Sequence, residues 1–368
     1  MRTSQTAALL LLGTVGMASA DGRIATWNAN GVEKTPQALA LNTRTMIGEI
    51  GTLDLLVLQE VISEEQVAAI AKAAGLDHWA ISDFSPPVSI TGNGFRSLEV
   101  AILSRQPMTG VAEWDTTGQE ATGDGYPPRT SDPALLSVED MVDVLLGEVR
   151  PSRGFLRADL KDGTSVYAVH WKSSRNEGCT PPDLENARKR ELQAEGIVVD
   201  AGGILASGGS IIVVGDYNIQ APGQGLRAGT DSAVDCAPIG SCTGVCGAGG
   251  EDGYDDSVHT LLQLPGARLL SASLGETYIA RRFGEGAIDH LLVAGPIAAE
   301  FEDARIPETD ETEFAGSDHL PVYAVRSGGD EAATRTTDED LRDLRGLIID
   351  MRERLGELET LADRLETE

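Results

Sequence analysis

Short runs of β-branched and aliphatic residues alternate with helix-period stretches along most of this chain. The apolar runs predict strands at Arg23–Trp27, Leu53–Leu58, Leu98–Leu103, Phe155–Leu160, Ser165–Val169, Ile211–Val214, Ile288–Val293 and Pro321–Val325. One helix is marked at both ends. Ser63 with Gln66 makes a capping box, Val67, Ile70, Ala71 and Ala74 share a face, and Gly75 stops it. A second helix is predicted from about Leu184 to Val199. The stretch from Met108 to Pro151 reads as an insertion carrying a short helix that opens at Ser137. Strands interleaved with helices up to about residue 328 predict a single layered α/β domain.

After Gly328-Gly329 the pattern changes. Leu341, Leu344, Ile348, Met351, Leu355, Leu358, Ala362 and Leu365 recur at the alternating spacing of a heptad seam. Such a seam predicts pairing with another helix, and hence a homo-oligomer through the C-terminal helix. The alternative is one amphipathic helix laid back on its own domain. At the other end, Arg2, the apolar stretch Ala7–Met17 and the small residues Ala18-Ser19-Ala20 read as a secretory signal removed after Ala20. That stretch is shorter than the ~20 residues a membrane span requires, and no later segment reads as a span. The expectation is a secreted or periplasmic protein. It has a leader over 1–20, a domain over 21–328 with its insertion at about 108–151, and a linker with a coiled-coil helix over 329–368.

Composition narrows the function. With 41% hydrophobic residues the chain has enough for a packed core, so disorder throughout is excluded. A net charge of −29 argues against gripping nucleic acid by charge alone, but not against an enzyme that meets phosphate through a metal ion. Export would permit disulfides, and Cys179, Cys236, Cys242 and Cys246 allow two bonds in three connectivities. A zinc site is the rival reading; it lacks a CxxC spacing and has only His259 close behind it.

Several apolar runs end abruptly in a side chain that binds metals or moves protons. RIATWNANG reaches Asn28, LDLLVLQEV reaches Glu60, VYAVHWKS reaches His170, and IIVVGDYN reaches Asp216 and Asn218, while GSDHLPVYAV begins with Asp318 and His319. Charged groups bordering buried strands are costly unless paired or bound to an ion. Strands stop at sheet rims, so these junctions are expected to converge in one acidic, oxygen-rich cleft suited to Mg²⁺, Mn²⁺ or Ca²⁺.

In that order the residues resemble the endonuclease/exonuclease/phosphatase superfamily, over about residues 23 to 326. TWNANG is similar to its opening strand, LQE to its glutamate strand, GDYN to its GD-x-N turn, IDHLLV to its IDH motif and SDHLPV to its closing motif. The resemblance implies an α+β fold: a four-layer αββα sandwich of two mixed, mainly antiparallel sheets, with the site at one rim. It implies Glu60 as the principal metal carboxylate, with Asn28 beside it and Asp318 near the same ion. His319 would act as general base or position the attacking water, with Asp289 orienting its imidazole. Asp216 and Asn218 would hold the scissile phosphate, its nucleophile or a second metal. His170 would bond phosphate and protonate the leaving oxygen, supported by Glu99 from SLEVAILSR. Arg153 corresponds to a phosphate-binding arginine before a strand, and Lys172 in the HWKS segment would reach phosphate or simply be solvated.

The expected activity is therefore Mg²⁺-dependent phosphodiester hydrolysis, with DNA as the leading substrate. Expected groove contacts are Arg96, Arg105, Arg175, the Arg188-Lys189-Arg190 run and the Arg281-Arg282 pair, although Arg188-Lys189-Arg190 reads rather as the wet face of a helix. A sphingomyelinase-like or phosphatase-like enzyme would use the same site, but no cluster of Trp and Phe reads as a membrane-contact hairpin. The alternative of another class is a non-catalytic exported binding protein assembled through the tail.

Overall fold

The computed structural model describes residues 22–82, 98–114, 129–130, 154–173, 181–220, 237–238, 254–280, 287–309 and 313–327. The chain divides into two units, Met1–Ser327 and Gly328–Glu368, and all the described residues belong to the first. The leader, the short helix expected at Ser137, the heptad tail, the four cysteines, Arg153, Arg96, Arg175, Arg281 and Arg282 lie outside the described residues.

Among the described residues, two six-stranded sheets carry the fold. The first is built from β1 (Gly22–Asn28), β2 (Leu55–Val61), β3 (His78–Ile81), β4 (Glu99–Ser104), β6 (Arg129–Thr130) and β14 (Val322–Arg326), in the order β14-β1-β2-β4-β3-β6. The second holds β5 (Met108–Trp114), β7 (Phe155–Leu160), β8 (Thr164–His170), β9 (Ser210–Asp216), β12 (Arg268–Leu269) and β13 (Asp289–Ala294), in the order β12-β13-β9-β8-β7-β5. Each sheet contains one parallel pair, β1 with β2 and β8 with β9; its other pairs are antiparallel. A small ribbon pairs β10 (Ala237–Pro238) with β11 (Tyr254–Asp255).

The central strands are apolar without interruption because both faces of each are covered. Along β2, Leu55 and Val57 join Ile24, Val100 and Ile102 against Val166, Ala168, Ile212, Val214, Leu291 and Val293 of the other sheet. Leu56 and Leu58 point the opposite way, into a second core with Trp27, Leu39, Met46, Ile50, Val67 and Ile70. That core lies under α1 (Pro36–Ile50) and α2 (Glu64–Ala74). A third core packs Tyr167, Val169, Ile211, Val213 and Leu292 beneath α3 (Pro181–Ala206) and α4 (Ser257–Leu262) through Ala194, Ile197, Val258 and Leu261. Three cores between four layers make the expected αββα sandwich. Full burial of each such Val, Leu or Ile contributes about 1.5–3 kcal/mol, so the alternation of facing directions along the strands is what fixes this layering.

Some boundaries differ from expectation. The insertion does not begin at Met108: residues Met108–Trp114 form β5, the edge strand paired with β7, and Trp114 stacks on Phe155 at 4.8 Å. Helix α3 runs longer at both ends than Leu184–Val199. Helix α2 starts and stops as read, with Ser63 Oγ accepting from the Gln66 amide and Gly75 in the left-handed region at φ 68°.

Candidate active site

β1 and β2 run parallel and end at the same rim, as do β8 and β9, and antiparallel β13 begins there. Register then places His170 opposite Asp216 and Asp216 opposite Asp289 in a row across one sheet, with Asn28 opposite Gln59 in the other. Strand alternation turns Asp216 and Asp289 to the same face as Val214 and Leu291, between the sheets. Glu60 occupies a bulge between Gln59 and Val61 at φ 59°, a conformation that costs a non-glycine residue on the order of 1–2 kcal/mol.

The rows meet. Asn28 Nδ2 donates to Glu60 Oε1 and to Asp216 Oδ2, each at 3.2 Å, and so links carboxylates from opposite sheets. His170 Nε2 lies 3.5 Å from Asp216 Oδ2 and 3.9 Å from Glu60 Oε1. His319 Nδ1 is 2.8 Å from Asp289 Oδ2, which also accepts from Thr277 Oγ1 at 2.7 Å. Tyr278 packs its ring against His319 at 4.9 Å. Asp216 Oδ1 accepts from the Asn218 amide, and Asn218 Nδ2 donates to the Trp171 carbonyl, which holds Asn218 at φ 55°. Glu99 is buried at the start of β4 and accepts from Ser82 Oγ at 2.6 Å.

The electrostatics follow from burial of like charges. Burial raises the Asp216 carboxyl to about 7, and the neighbouring Asp289 and Glu60 push the same way against His319. For His319, burial disfavours the charged ring, but Asp289, Asp216 and Asp318 together prevail and raise it to about 10. The site thus retains protons where an acidic cluster would otherwise repel itself. Oxygen Oδ1 of Asp289 is buried with no hydrogen-bond partner among the described residues. Asp216, Asp289 and His319 bring a ligand atom each to within 4.8 Å of one another. Hard oxygen donors, excess buried negative charge and an unsatisfied carboxylate oxygen fit a divalent cation.

A model of the Endonuclease/Exonuclease/phosphatase family matches residues 25–319. The chain belongs to that family. Among solved structures, a 3'-5' exonuclease, NExo, from Neisseria meningitidis is similar at 20% identity, with 82% of this chain and 98% of that one covered and a TM-score of 0.50. An AP endonuclease from Archaeoglobus fulgidus is similar at 15% identity, covering 83% and 99%, with a TM-score of 0.52. The chain matches none of the curated proteins compared with it.

Within this family member the expected residues do not all serve as expected. Asn28 turns its NH₂ toward the carboxylates, because its Oδ1 accepts the Asn30 amide at 3.1 Å, so it presents a donor there and not a ligand oxygen. Asp318 is half-buried and accepts from Asn30 Nδ2 at 3.3 Å, while Asp289, expected only to orient His319, also brings an oxygen into the group with Asp216 and His319. Arg105 follows the end of β4 away from the site and pairs with Asp54 at 2.8 Å, so it is no groove contact. Arg188 pairs with Glu191 and Glu195. Arg190 is neither groove contact nor wet face: it is buried, donating to Asp255 at 2.5 Å and to the Lys172 carbonyl at 2.6 Å. That last bond anchors the segment behind His170, on which Lys172 is half-buried.

Asn30, Lys34, Thr277 and Ser317 escaped the sequence reading. Lys34 Nζ donates to the Ala29 and Gly316 carbonyls, and Ser317 Oγ to the Asn28 carbonyl at 2.6 Å, tying the loop after β1 to the loop before β14. Asn30 was visible inside TWNANG; Thr277 sits in a loop with no apolar run to mark it.

Proposed function

We propose that this protein is an exported, divalent-metal-dependent phosphodiesterase acting on DNA. The observation that carries the hydrolytic reading is the meeting of strand ends from both sheets, with the His319–Asp289 pair and His170 set around Glu60 and Asp216. DNA is favoured by the family's solved members: one is named a 3' phosphatase NExo bound to product DNA hairpin, another an AP endonuclease. Export rests on residues 1–20 alone.

Glu60 and Asp216 would hold the cation, with Asp289 Oδ1 and Asp318 close by and Mg²⁺ the leading ion. When bound, such an ion neutralises phosphate oxygens and draws down the proton affinity of neighbouring groups. Asp289 fixes the His319 ring through Nδ1, leaving Nε2 to face substrate and take a proton from water. His170, beside Asp216, would give a proton to the leaving oxygen, with Glu99 as its supporting carboxylate. Asn218, held by its bond to the Trp171 carbonyl, would contact the phosphate group. Arg153 and Lys172 are carried as proposed phosphate contacts.

Purified protein incubated with plasmid DNA and Mg²⁺, with and without chelator, tests the reading. Cleavage that the chelator abolishes is expected. Glu60→Ala and His319→Ala should each lower turnover at least about a hundredfold while leaving thermal unfolding little changed. Full activity in either variant removes that residue from the mechanism. An inert wild type, with sphingomyelin and nucleotides also untouched, would favour a binding protein.

A further inference from the structure

Three of the site residues are followed directly by a ring. Trp171 follows His170, Tyr217 follows Asp216 and His290 follows Asp289. Strand alternation turns the residue after each of them to the reverse side, and since β13 runs antiparallel, His290 pairs with Gly215 and lies diagonal to Tyr217. There they form a column: Trp171 on Tyr217 at 4.3 Å, and Tyr217 edge-on to His290 at 5.1 Å. All three are fully or almost fully buried, with Trp171 and Tyr217 in the outer core under α3.

The column is bonded to the loop that carries Asp216 and Asn218. Tyr217 Oη donates to the Val213 carbonyl at 3.0 Å. His290 Nε2 lies 2.9 Å from the Ile219 carbonyl, so that nitrogen bears the proton of a neutral ring, and Nδ1 faces Ser271 Oγ at 2.9 Å. On the other side Asn218 Nδ2 donates to the Trp171 carbonyl. The turn 216–219 is therefore gripped from β8 and from β13 at once.

We propose that Trp171, Tyr217 and His290 form an aromatic brace that sets the register of His170, Asp216 and Asp289 at the rim, making them positioning residues for the hydrolytic site. None faces the cleft; each acts through its neighbour. Their effect on turnover rests on the phosphodiesterase reading, while their effect on the turn does not. Displacing a reacting group by about 1 Å is enough to cost on the order of a hundredfold in rate.

The test compares Tyr217→Leu and His290→Leu with Tyr217→Phe, which keeps the ring, and with Ile197→Ala, which opens the same outer core from its helix. Two readouts are taken: steady-state kinetics, and amide exchange over residues 215–219 in metal-free protein. Tyr217→Leu and His290→Leu are each expected to speed exchange at least tenfold and to lower kcat at least tenfold with KM within twofold. Tyr217→Phe should hold both within threefold. Ile197→Ala should lower Tm yet leave exchange over 215–219 and kcat within threefold. Either leucine variant that folds decides the matter. Wild-type exchange over the turn, or an equal loss of kcat in Ile197→Ala, overturns the brace. If the wild type cleaves nothing, the functional reading fails and the exchange result still decides whether the brace exists.

Discussion

Thr277 Oγ1 donates to Asp289 Oδ2 at 2.7 Å while accepting the Ile288 and Asp289 amides at 3.0 Å each. One hydroxyl thus fixes the carboxylate that orients His319. Thr277→Val keeps the shape and removes every one of these bonds, leaving the Ile288 and Asp289 amides without that acceptor and Asp289 Oδ2 with His319 Nδ1 as its remaining partner. The expected loss is about 2–4 kcal/mol in urea unfolding of metal-free protein, with Thr277→Ser losing less than about 1 kcal/mol. A valine variant as stable as wild type would show that Asp289 is held by something else. Residues such as Asp216 and Glu60 were legible because a polar side chain closing an apolar run must lie at a rim. Their fine geometry was not. The Asn28 amide is turned by a bond two residues away, and Gly215 is fixed by a contact from another strand: a Cβ there, at φ 151°, would lie 2.0 Å from the Val169 carbonyl. Neither constraint leaves a trace in local sequence.

At the scale of elements, helix α2 shows how a correct motif can understate its own role. Ser63 caps as expected, but Gln66 does not return to the Ser63 amide. Its Oε1 accepts from the Ile62 amide at 2.9 Å, and its Nε2 donates to the Gly31 and Lys34 carbonyls at 2.8 Å each. Gln66 is a clamp between α2 and the loop that follows β1, where Asn28 and Asn30 are presented. Ser63→Ala should therefore cost about 1 kcal/mol, whereas Gln66→Ala, which strands the Ile62 amide and the Lys34 carbonyl and leaves Gly31 O only the Lys34 amide, should cost about 2–3 kcal/mol. Chemical denaturation of the two variants ranks them, and the reverse order would mean that the cap outweighs the clamp. Elements missing from the sequence reading have identifiable causes. In α1 the buried face is Leu39, Thr43, Met46 and Ile50, and Thr43 dilutes the apolar stripe by turning its hydroxyl to the Leu39 carbonyl. Strand β5 includes Thr109, Gly110 and Glu113, so its membership in the sheet is decided by pairing with β7 across a long sequence gap. The central strands were legible because burial on both faces demands unbroken apolar runs.

Across the whole molecule, folding forces acids from both sheets into one rim, and the consequence is a stability that depends on pH and on cations. His319 is raised to about 10 from 6.5, so its stabilising contribution is complete below about pH 6.5 and disappears as pH rises through 10. Asp216 is raised to about 7 from 3.8, so its contribution is complete below about 3.8 and disappears as pH rises through 7. Buried His290, lowered to about 4 mainly by desolvation, acts oppositely: it destabilises at acid pH and stops doing so as pH rises from 4 past 6.5. Above pH 7 only the first effect remains among these three, on a chain whose net charge of −29 already opposes compaction. Metal-free protein should accordingly lose stability between pH 7 and 10, with a slope of up to about 1.4 kcal/mol per pH unit for one titrating group. His319→Gln, which has no proton to lose there, should flatten that limb. A divalent cation favours the deprotonated acids, so Mg²⁺ should stabilise the wild type more at pH 8 than at pH 5 and release protons on binding. Urea unfolding across this pH range, with chelator and with Mg²⁺, checks each part. A wild-type limb no steeper than that of His319→Gln would mean that His319 gives up its proton without cost, and that the Asp289 pair does not hold it charged.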